Sequence, residues 1–373
     1  MSRIKNLINE LCPNGVKYIK LDDLLNYIQP AKYIVKSTDY NDNYKTPVLT
    51  AGQTFILGYT NEEAGIFNAS KDKPVIIFDD FMATNHWVDF DFKVKSSAMK
   101  ILVPKTNNIL KYIYYCINNI NYTPKEHSRQ WIQNYSQFKI PLPPIEIQKQ
   151  IVSTLDKFGE LEAELKAELE ERKSQYEFWR GQFFKHKGNL KISDLFTRVK
   201  GTPITAGKMK EIENTNGKIR IFAGGQTAVN ANLENIPNAN IIDYPCVIVQ
   251  SRGLIDFIYY DKPFTFKNEM WAYTCDNKIM VKYLYYYLKN NVNYFRKLGT
   301  QMGSMPQISL PVTEKFEIFL PSLEEQEKVV KILDKFDRLI NDITVGIPAE
   351  IELRKQQYEY YRNKLLSFKE IQN

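Results

Sequence analysis

The chain repeats itself, and the repeat constrains the fold more than any other feature of the sequence. LDKF at 155–158 recurs at 333–336, and KIPLP at 139–143 returns as EIFLP at 317–321, both 178 residues on. RKSQYEFWR at 172–180 returns as RKQQYEYYR at 354–362, now 182 residues on, so the second copy carries four extra residues. Upstream the match is thinner but collinear. KLDDLL (20–25) aligns with KISDLF (191–196), TAGQT (50–54) with FAGGQT (222–227), and KYIYYCINN (111–119) with KYLYYYLKN (282–290). Such a chain is expected to fold as two copies of one unit, each a mixed region followed by a charged helical region.

The helical regions carry the clearest pattern. Ile151, Leu155, Phe158, Leu161, Leu165 and Leu169 recur every three or four residues, and Val329, Leu333, Phe336, Ile340, Ile343 and Ile347 are spaced 4-3-4-3-4. That is a heptad-like seam. Pro143 and Pro144 precede the first helix, Pro321 the second, and Ser322 with Glu325 forms a capping-box pattern. Gly346 and Pro348 should break or kink the second helix where the extra residues fall. The first helix, about 40 residues, would reach roughly 60 Å at about 1.5 Å per residue. The two are expected to pair as an antiparallel coiled coil.

The mixed regions hold short apolar runs such as PVIIF (74–78) and CVIVQ (246–250), separated by turn-rich segments such as STDYNDN (37–43) and ENTNGK (213–218). KYIYYCI and KYLYYYL fit helices with an apolar, aromatic face. The fold expected is therefore α+β: two pseudo-symmetric mixed α/β domains separated by two long helices. The expected boundaries are 1–143 (with an N-terminal helix over 2–11), 144–186, 187–321 and 322–369. Residues 2–11 occupy the place before KLDDLL that the end of the first long helix occupies before KISDLF, so they should pack near Leu365 and Phe368.

Charge separates along the same lines. The net charge is +7, yet 144–184 holds nine acidic and six basic residues, and 322–366 nine and eight. The mixed regions therefore carry about +11, the footprint of a phosphate-binding surface. Catalytic signatures are missing. His86, His127 and His186 lack metal-ligand spacing, and there is no Walker A motif and no GxGxxG opening a helix. Cys12, Cys116, Cys246 and Cys275 are too scattered for a zinc knuckle and read as reduced thiols of a cytoplasmic protein. Asp79 or Asp80 with Asp91 and Lys93 imitates a nuclease's carboxylates and lysine, but at the copy offset of 172 Asp91 falls on Pro263 and Lys93 on Thr265. No apolar run is long enough to span a membrane.

KIPLPPIEIQKQIVSTLDKF with RKSQYEFWR, FLPSLEEQEKVVKILDKF with RKQQYEYYRNKLL, and the opening LCPNGVKYIKLDDL carry a resemblance over essentially the whole chain. It resembles the specificity subunits of type I restriction–modification systems, apart from the GIP interruption at 346–348. The resemblance implies that each mixed domain is a target recognition domain reading one half of a bipartite, asymmetric site in double-stranded DNA. The helices would be the ruler between halves. Two methyltransferase subunits would dock on the helical regions with S-adenosylmethionine, and motor–nuclease subunits would add ATP and magnesium. The chain itself would be no enzyme and hold no cofactor.

Arg, Gln and Asn are the usual readers of base edges. The candidates for DNA contact, on polar loops near the glycine turns and before the helices, are Gln53, Thr54, Arg129, Gln130, Gln226, Arg252, Gln301, Ser304 and Gln307. The candidates for partner contact, at the helix starts and in the repeated aromatic motif, are Glu146, Gln148, Tyr176, Trp179, Glu325, Gln326, Tyr358 and Tyr361. Three other readings compete: specificity for a different modification system, a coiled-coil scaffold that binds protein and not DNA, and a nuclease on the Asp91/Lys93 pattern.

Overall fold

The computed structural model describes residues 2–51, 54–105, 107–299 and 305–371. By packing, the chain divides into two units, Met1–Glu164 with Ile351–Asn373, and Leu165–Glu350. The division cuts through both helical regions, so each unit is one mixed domain with the helical segments packed on it.

The first unit runs α1 (Ser2–Leu11), β1 (Lys17–Lys20), α2 (Leu21–Leu24), β2 (Leu25–Ile28), β3 (Thr46–Leu49), β4 (Ile56–Thr60), β5 (Val75–Asp79), β6 (Asn85–Val88), β7 (Lys93–Val94), β8 (Met99–Pro104), α3 (Leu110–Asn118), β9 (Lys139–Leu142) and the start of α4 (Ile145–Phe183). The second takes the rest of α4 and runs β10 (Leu190–Lys191), α5 (Ile192–Leu195), β11 (Thr197–Lys200), α6 (Ala206–Glu211), β12 (Ile219–Phe222), β13 (Ala228–Ala231), β14 (Cys246–Gln250), β15 (Asp256–Tyr260), β16 (Phe264–Phe266), β17 (Trp271–Thr274), α7 (Lys278–Asn290), α8 (Val292–Gly299), α9 (Leu310–Glu314), β18 (Glu317–Ile318) and α10 (Leu323–Asn341); α11 (Ile347–Leu365) follows and belongs to the first unit from Ile351 on.

The repeat is exact at the level of topology. The first unit has a four-stranded sheet, β2-β8-β5-β6, and a three-stranded one, β4-β3-β7; the second has β11-β17-β14-β15 and β13-β12-β16. In each, one pair is parallel, β3 with β7 and β12 with β16, within otherwise antiparallel sheets. A short ribbon, β1 with β9 and β10 with β18, closes each domain. The runs VIIFD and CVIVQ are buried at every position because each lies inside its four-stranded sheet, covered on both faces.

α3 and α7 bury the apolar face of KYIYYCI and KYLYYYL against these sheets. They also fasten each domain to its helical region with the same three side chains. Tyr115 donates to the Asp156 carboxylate and Tyr286 to that of Asp334. Lys111 lies 3.6 Å from Asp156, and Lys282 3.1 Å from Asp334. Each lysine also sits over an aromatic ring, Trp87 at 4.4 Å and Tyr259 at 4.5 Å. Burial, and then the adjoining carboxylate, hold both tyrosines well above their ordinary pKa, so they remain donors.

The helices pair within each unit as the seam suggests. Phe158 stacks on Tyr361 at 5.4 Å, and Tyr176 packs on Phe336 at 6.1 Å. Ile151, Leu155, Leu333 and Ile340 are buried. Two expected seam positions are exposed: Leu161 lies on the solvated, glutamate-rich middle of α4, and Ile343 is 81% exposed because it falls in a loop. The second helical region is two helices and not one. α10 ends at Asn341, and the Asp342 carboxylate accepts from the Thr344 and Val345 N–H groups. Gly346 then passes so close beneath the last carbonyls of α10 that a Cβ there would sit 2.6 Å from the Asp342 oxygen. Pro348 is tolerated in the first turn of α11, where no N–H is needed.

Residues 2–11 form the expected helix. Ile4, Leu7 and Ile8 share one apolar cluster with Leu365, Leu366 and Phe368. The Val16 N–H donates to the Lys369 carbonyl at 2.8 Å, and the Tyr18 hydroxyl to that of Phe368 at 2.9 Å. In the second unit the end of α4 fills the matching place, with Phe184 edge-on to Tyr283 and Tyr287.

Candidate nucleic-acid interface

In each unit three segments meet at one corner of the mixed domain. They are the turn between the first two strands of the small sheet, the loop that leaves β5 or β14, and the segment before the return to β9 or β18. The backbone ties them alike. The Gln130 N–H donates to the Asp80 carbonyl at 2.7 Å in the first unit, and the Ile308 N–H to the Ser251 carbonyl at 2.9 Å in the second.

The first corner is built on a buried carboxylate. Asp80 accepts from the Trp131 N–H at 2.9 Å and pairs with Lys100 at 3.3 Å, each side chain 1% exposed. Lys100 also lies over the Tyr27 ring at 5.1 Å. Arg129 reaches the same carboxylate oxygen at 3.4 Å while its side chain stays 48% exposed. Its guanidinium lies over Phe81 at 5.9 Å, and Phe81 stacks on His127 at 4.8 Å. Asp79 caps the turn by accepting from the Phe81 and Met82 N–H groups. Ala83 holds φ of 57°, an uncommon conformation for a residue with a Cβ. The β3–β4 turn joins through Phe55, stacked on His86 at 4.0 Å. Burial, opposed by Asp79, lowers the His86 pKa, so the ring is neutral at pH 7. A cleft of about 740 Å³ lies beside this stack, lined by Met82, Asn85, His86 and Tyr122.

The second corner is built on glycine turns. Gly225 (φ 72°) and Gly253 (φ 76°) adopt left-handed turns beside each other, a backbone conformation that residues with a Cβ rarely take. The Gly225 N–H donates to the Arg252 carbonyl at 3.0 Å, and the Gln250 amide to the Gly225 carbonyl at 2.6 Å. Arg252 bridges to Gln307 through the backbone. In the register of β5 and β14, Ser251 stands where the first copy has Asp80, and Arg252 follows it. A cleft of about 580 Å³ opens here, with Lys210, Arg252, Lys267 and Met305 on its walls.

The sequence-derived candidates divide on this geometry. Arg129 belongs to the first corner; Gln226, Arg252 and Gln307 meet at the second, with Gln226 and Arg252 exposed and Gln307 half-buried. Thr54 is exposed in the β3–β4 turn. Gln130 is a correction: it is 1% exposed, bonded to Tyr122, Asn134 and Ser128, and shapes the loop from inside. Gln53, Gln301 and Ser304 lie outside the described residues. Asp80, Lys100 and Phe81 were not singled out as site residues, because an acid–lysine pair brought together across a sheet leaves no local pattern. The nuclease pattern does not assemble. Asp91 is exposed, and Lys93 is buried elsewhere, 3.0 Å from Glu62 and 2.6 Å from the Ala64 carbonyl.

Three of the partner candidates are also corrected. Gln148 and Gln326 are each 1% exposed and fold back on the carbonyls of Pro143 and Pro321, at 2.9 and 2.8 Å. They anchor the helix starts from within. Tyr176 is buried against Phe336 and the Arg180 guanidinium. Tyr358 and Tyr361 are half-buried on Phe158. Glu146 and Glu325 are exposed, although Glu325 also completes the capping box with Ser322. Trp179 is 46% exposed beside Phe178, an exposed ring the motif comparison passed over. Ile332, Leu339 and Val345 add a second exposed apolar patch, around a groove of about 530 Å³ on α10.

The model of the type I restriction modification DNA specificity domain matches this chain twice, over residues 13–171 and 186–353. The specificity subunit of the type I restriction enzyme EcoR124I/EcoR124II from Escherichia coli is 41% identical, over 99% of this chain and 97% of its own length. A putative type I restriction enzyme specificity subunit from Haemophilus influenzae is 27% identical, over 95% and 96%. Among solved structures, the S subunit of a type I restriction–modification system from M. genitalium superposes with a TM-score of 0.62 at 16% identity, covering 95% of this chain and 97% of its own, a likeness of fold. Two matches to the family model, one on each copy of a repeated fold, and close identity along nearly the whole length agree: the chain belongs to the specificity subunits of type I restriction–modification enzymes.

Proposed function

We propose that the two corners read two different half-sites of one bipartite, non-palindromic DNA target. One observation carries this reading: the same backbone scaffold presents different chemistry at matching places. A buried Asp80 with a clamped arginine stands in one unit, and an exposed Arg252 between glycine turns in the other. A scaffold that repeats while its exposed polar groups differ supports reading two unlike sequences. The +11 of the mixed domains supplies the attraction for phosphate.

The helical regions offer the surface for other subunits. Trp179 with Phe178 on α4, and the patch of Ile332, Leu339 and Val345, are apolar and exposed, which favours protein docking. Two copies of a methyltransferase subunit suit a helical region built twice, and motor–nuclease subunits would join them. Methyl transfer with S-adenosylmethionine, and cleavage with ATP and magnesium, would belong to those partners. The dispersal of Asp80, Asp91 and Lys93 into separate surroundings supports a chain that recognises DNA without cutting it. No helix among the described residues is long and apolar enough to cross a membrane.

Methylome sequencing of the host with and without this gene tests the reading. The expected result is loss of one split, asymmetric adenine-methylation motif when the gene is removed. A palindromic motif, or no motif that depends on the gene, would overturn it.

A further inference from the structure

Asp80, Lys100 and Arg129 form a cluster whose charges do not cancel. Lys100 and Asp80 are both buried and 3.3 Å apart, so the lysine alone neutralises the carboxylate. Arg129 is therefore not required to compensate a buried charge, and it leaves this three-residue cluster with one net positive charge. Yet it is held: one of its terminal nitrogens is 3.4 Å from Asp80, and its plane lies over Phe81, itself stacked on His127. Its other nitrogens make no hydrogen bond or ion pair among the described residues, and its side chain is about half exposed. A guanidinium fixed at one edge and on one face keeps the opposite edge free, with little rotamer entropy left to lose on binding.

We infer that Arg129 reads a guanine in the first half-site, and that Asp80 is the positioning residue that aims it. The chemistry is specific. The free edge of a guanidinium offers two parallel N–H donors, which match O6 and N7 of guanine in the major groove and no other base as well. A phosphate takes the same donors, but it would need no prior orientation of the fork and would confer no sequence preference. The second corner carries no such device at the matching place: Ser251 stands where the aspartate stood, and its hydroxyl donates to the Glu269 carbonyl at 3.0 Å. The preoriented reader is thus a property of the first half-site only. This inference rests on the proposed reading of a bipartite target.

The test uses the full chain in complex with its methyltransferase partner on a DNA library randomised across the target. Arg129→Ala and Arg129→Lys alter an exposed side chain, so folding is not at risk. Both are expected to lower discrimination at one guanine of one half-site by about tenfold or more, and to leave the other half-site unchanged. Asp80→Asn, in a variant whose circular dichroism matches the parent, should weaken preference at that same base. If Arg129→Ala lowers binding to all sequences alike and reduces the salt dependence, the residue is a phosphate contact and the inference fails. Unchanged preference at every position overturns it equally. If the unaltered complex selects no split motif, the underlying reading has failed instead.

Discussion

At the residue scale, near-identical positions in the two copies carry different loads. Gln148 serves three groups: its amide donates to the Pro143 carbonyl and to Asn108, and its Oε1 accepts from the Ile109 N–H at 3.2 Å. Gln326 makes only the bond to the Pro321 carbonyl, and its buried Oε1 has no partner among the described residues. In the second copy the corresponding helix is capped instead by its own Asn277, which accepts from the Ile279 and Met280 N–H groups. Gln148→Ala should therefore destabilise the protein by about 1–3 kcal/mol, and Gln326→Ala by clearly less, since one buried group there is already unpaired. Thermal unfolding of the two variants side by side would show it; equal losses, or the reverse order, would refute the assignment. The two glutamines also show how sequence position misleads. A polar residue one turn into a helix after a proline reads as surface until the chain is seen to curl back over it.

At the scale of elements, the lysine–tyrosine–aspartate contact and the break at 342–346 both make predictions. Asp156 receives Tyr115 and Lys111, and Asp334 receives Tyr286 and Lys282. Asp156→Ala should free α3 from α4, and hydrogen exchange should rise in α3 while the β5–β8 pair stays protected. Uniform loss of protection through the unit would mean that the contact holds the whole core and not one junction. The ingredients stood in the repeats, Lys and Tyr four apart in KYIYY and KYLYY, and Asp in LDKF. Nothing local says that segments 41 and 48 residues apart will meet. At the break, a Cβ on Gly346 would lie within 2.6–2.8 Å of three carbonyl oxygens of Arg338, Leu339 and Asp342. Gly346→Ala is expected to cost about 1–3 kcal/mol, the range for forcing atoms into a filled space. A neutral result in chemical denaturation would show that α10 can yield without penalty.

For the whole molecule, the repeat predicts a ruler. If the helical regions set the separation of the half-sites, four extra residues in α4 and four in α10 add about 6 Å of helix to each. The methylated motif should then keep both half-sites and gain a longer unspecified spacer. A changed half-site, or an unchanged spacer, would show that the helices do not measure the distance. The middle of α4, around Glu160, Glu164 and Glu168, is solvated and outside the apolar clusters, which makes it the natural point of insertion.

Much of this protein was legible without coordinates. The repeat set two like domains, the three-to-four spacing set the helices between them, and the location of the lysines set the sign of the surface, because each depends on local pattern or on composition alone. The interruption at Gly346 and Pro348 was legible for the same reason, being a backbone constraint. Tertiary structure alone decided which polar side chains face outward. Gln130, Gln148 and Gln326 turned inward because buried backbone groups beside them needed partners, and a distant segment supplied the covering surface. It also decided that Asp80 is a buried anchor: Lys100 and Arg129, 20 and 49 residues along the chain, come to it only when β8 pairs with β5 and the loop before β9 folds over both.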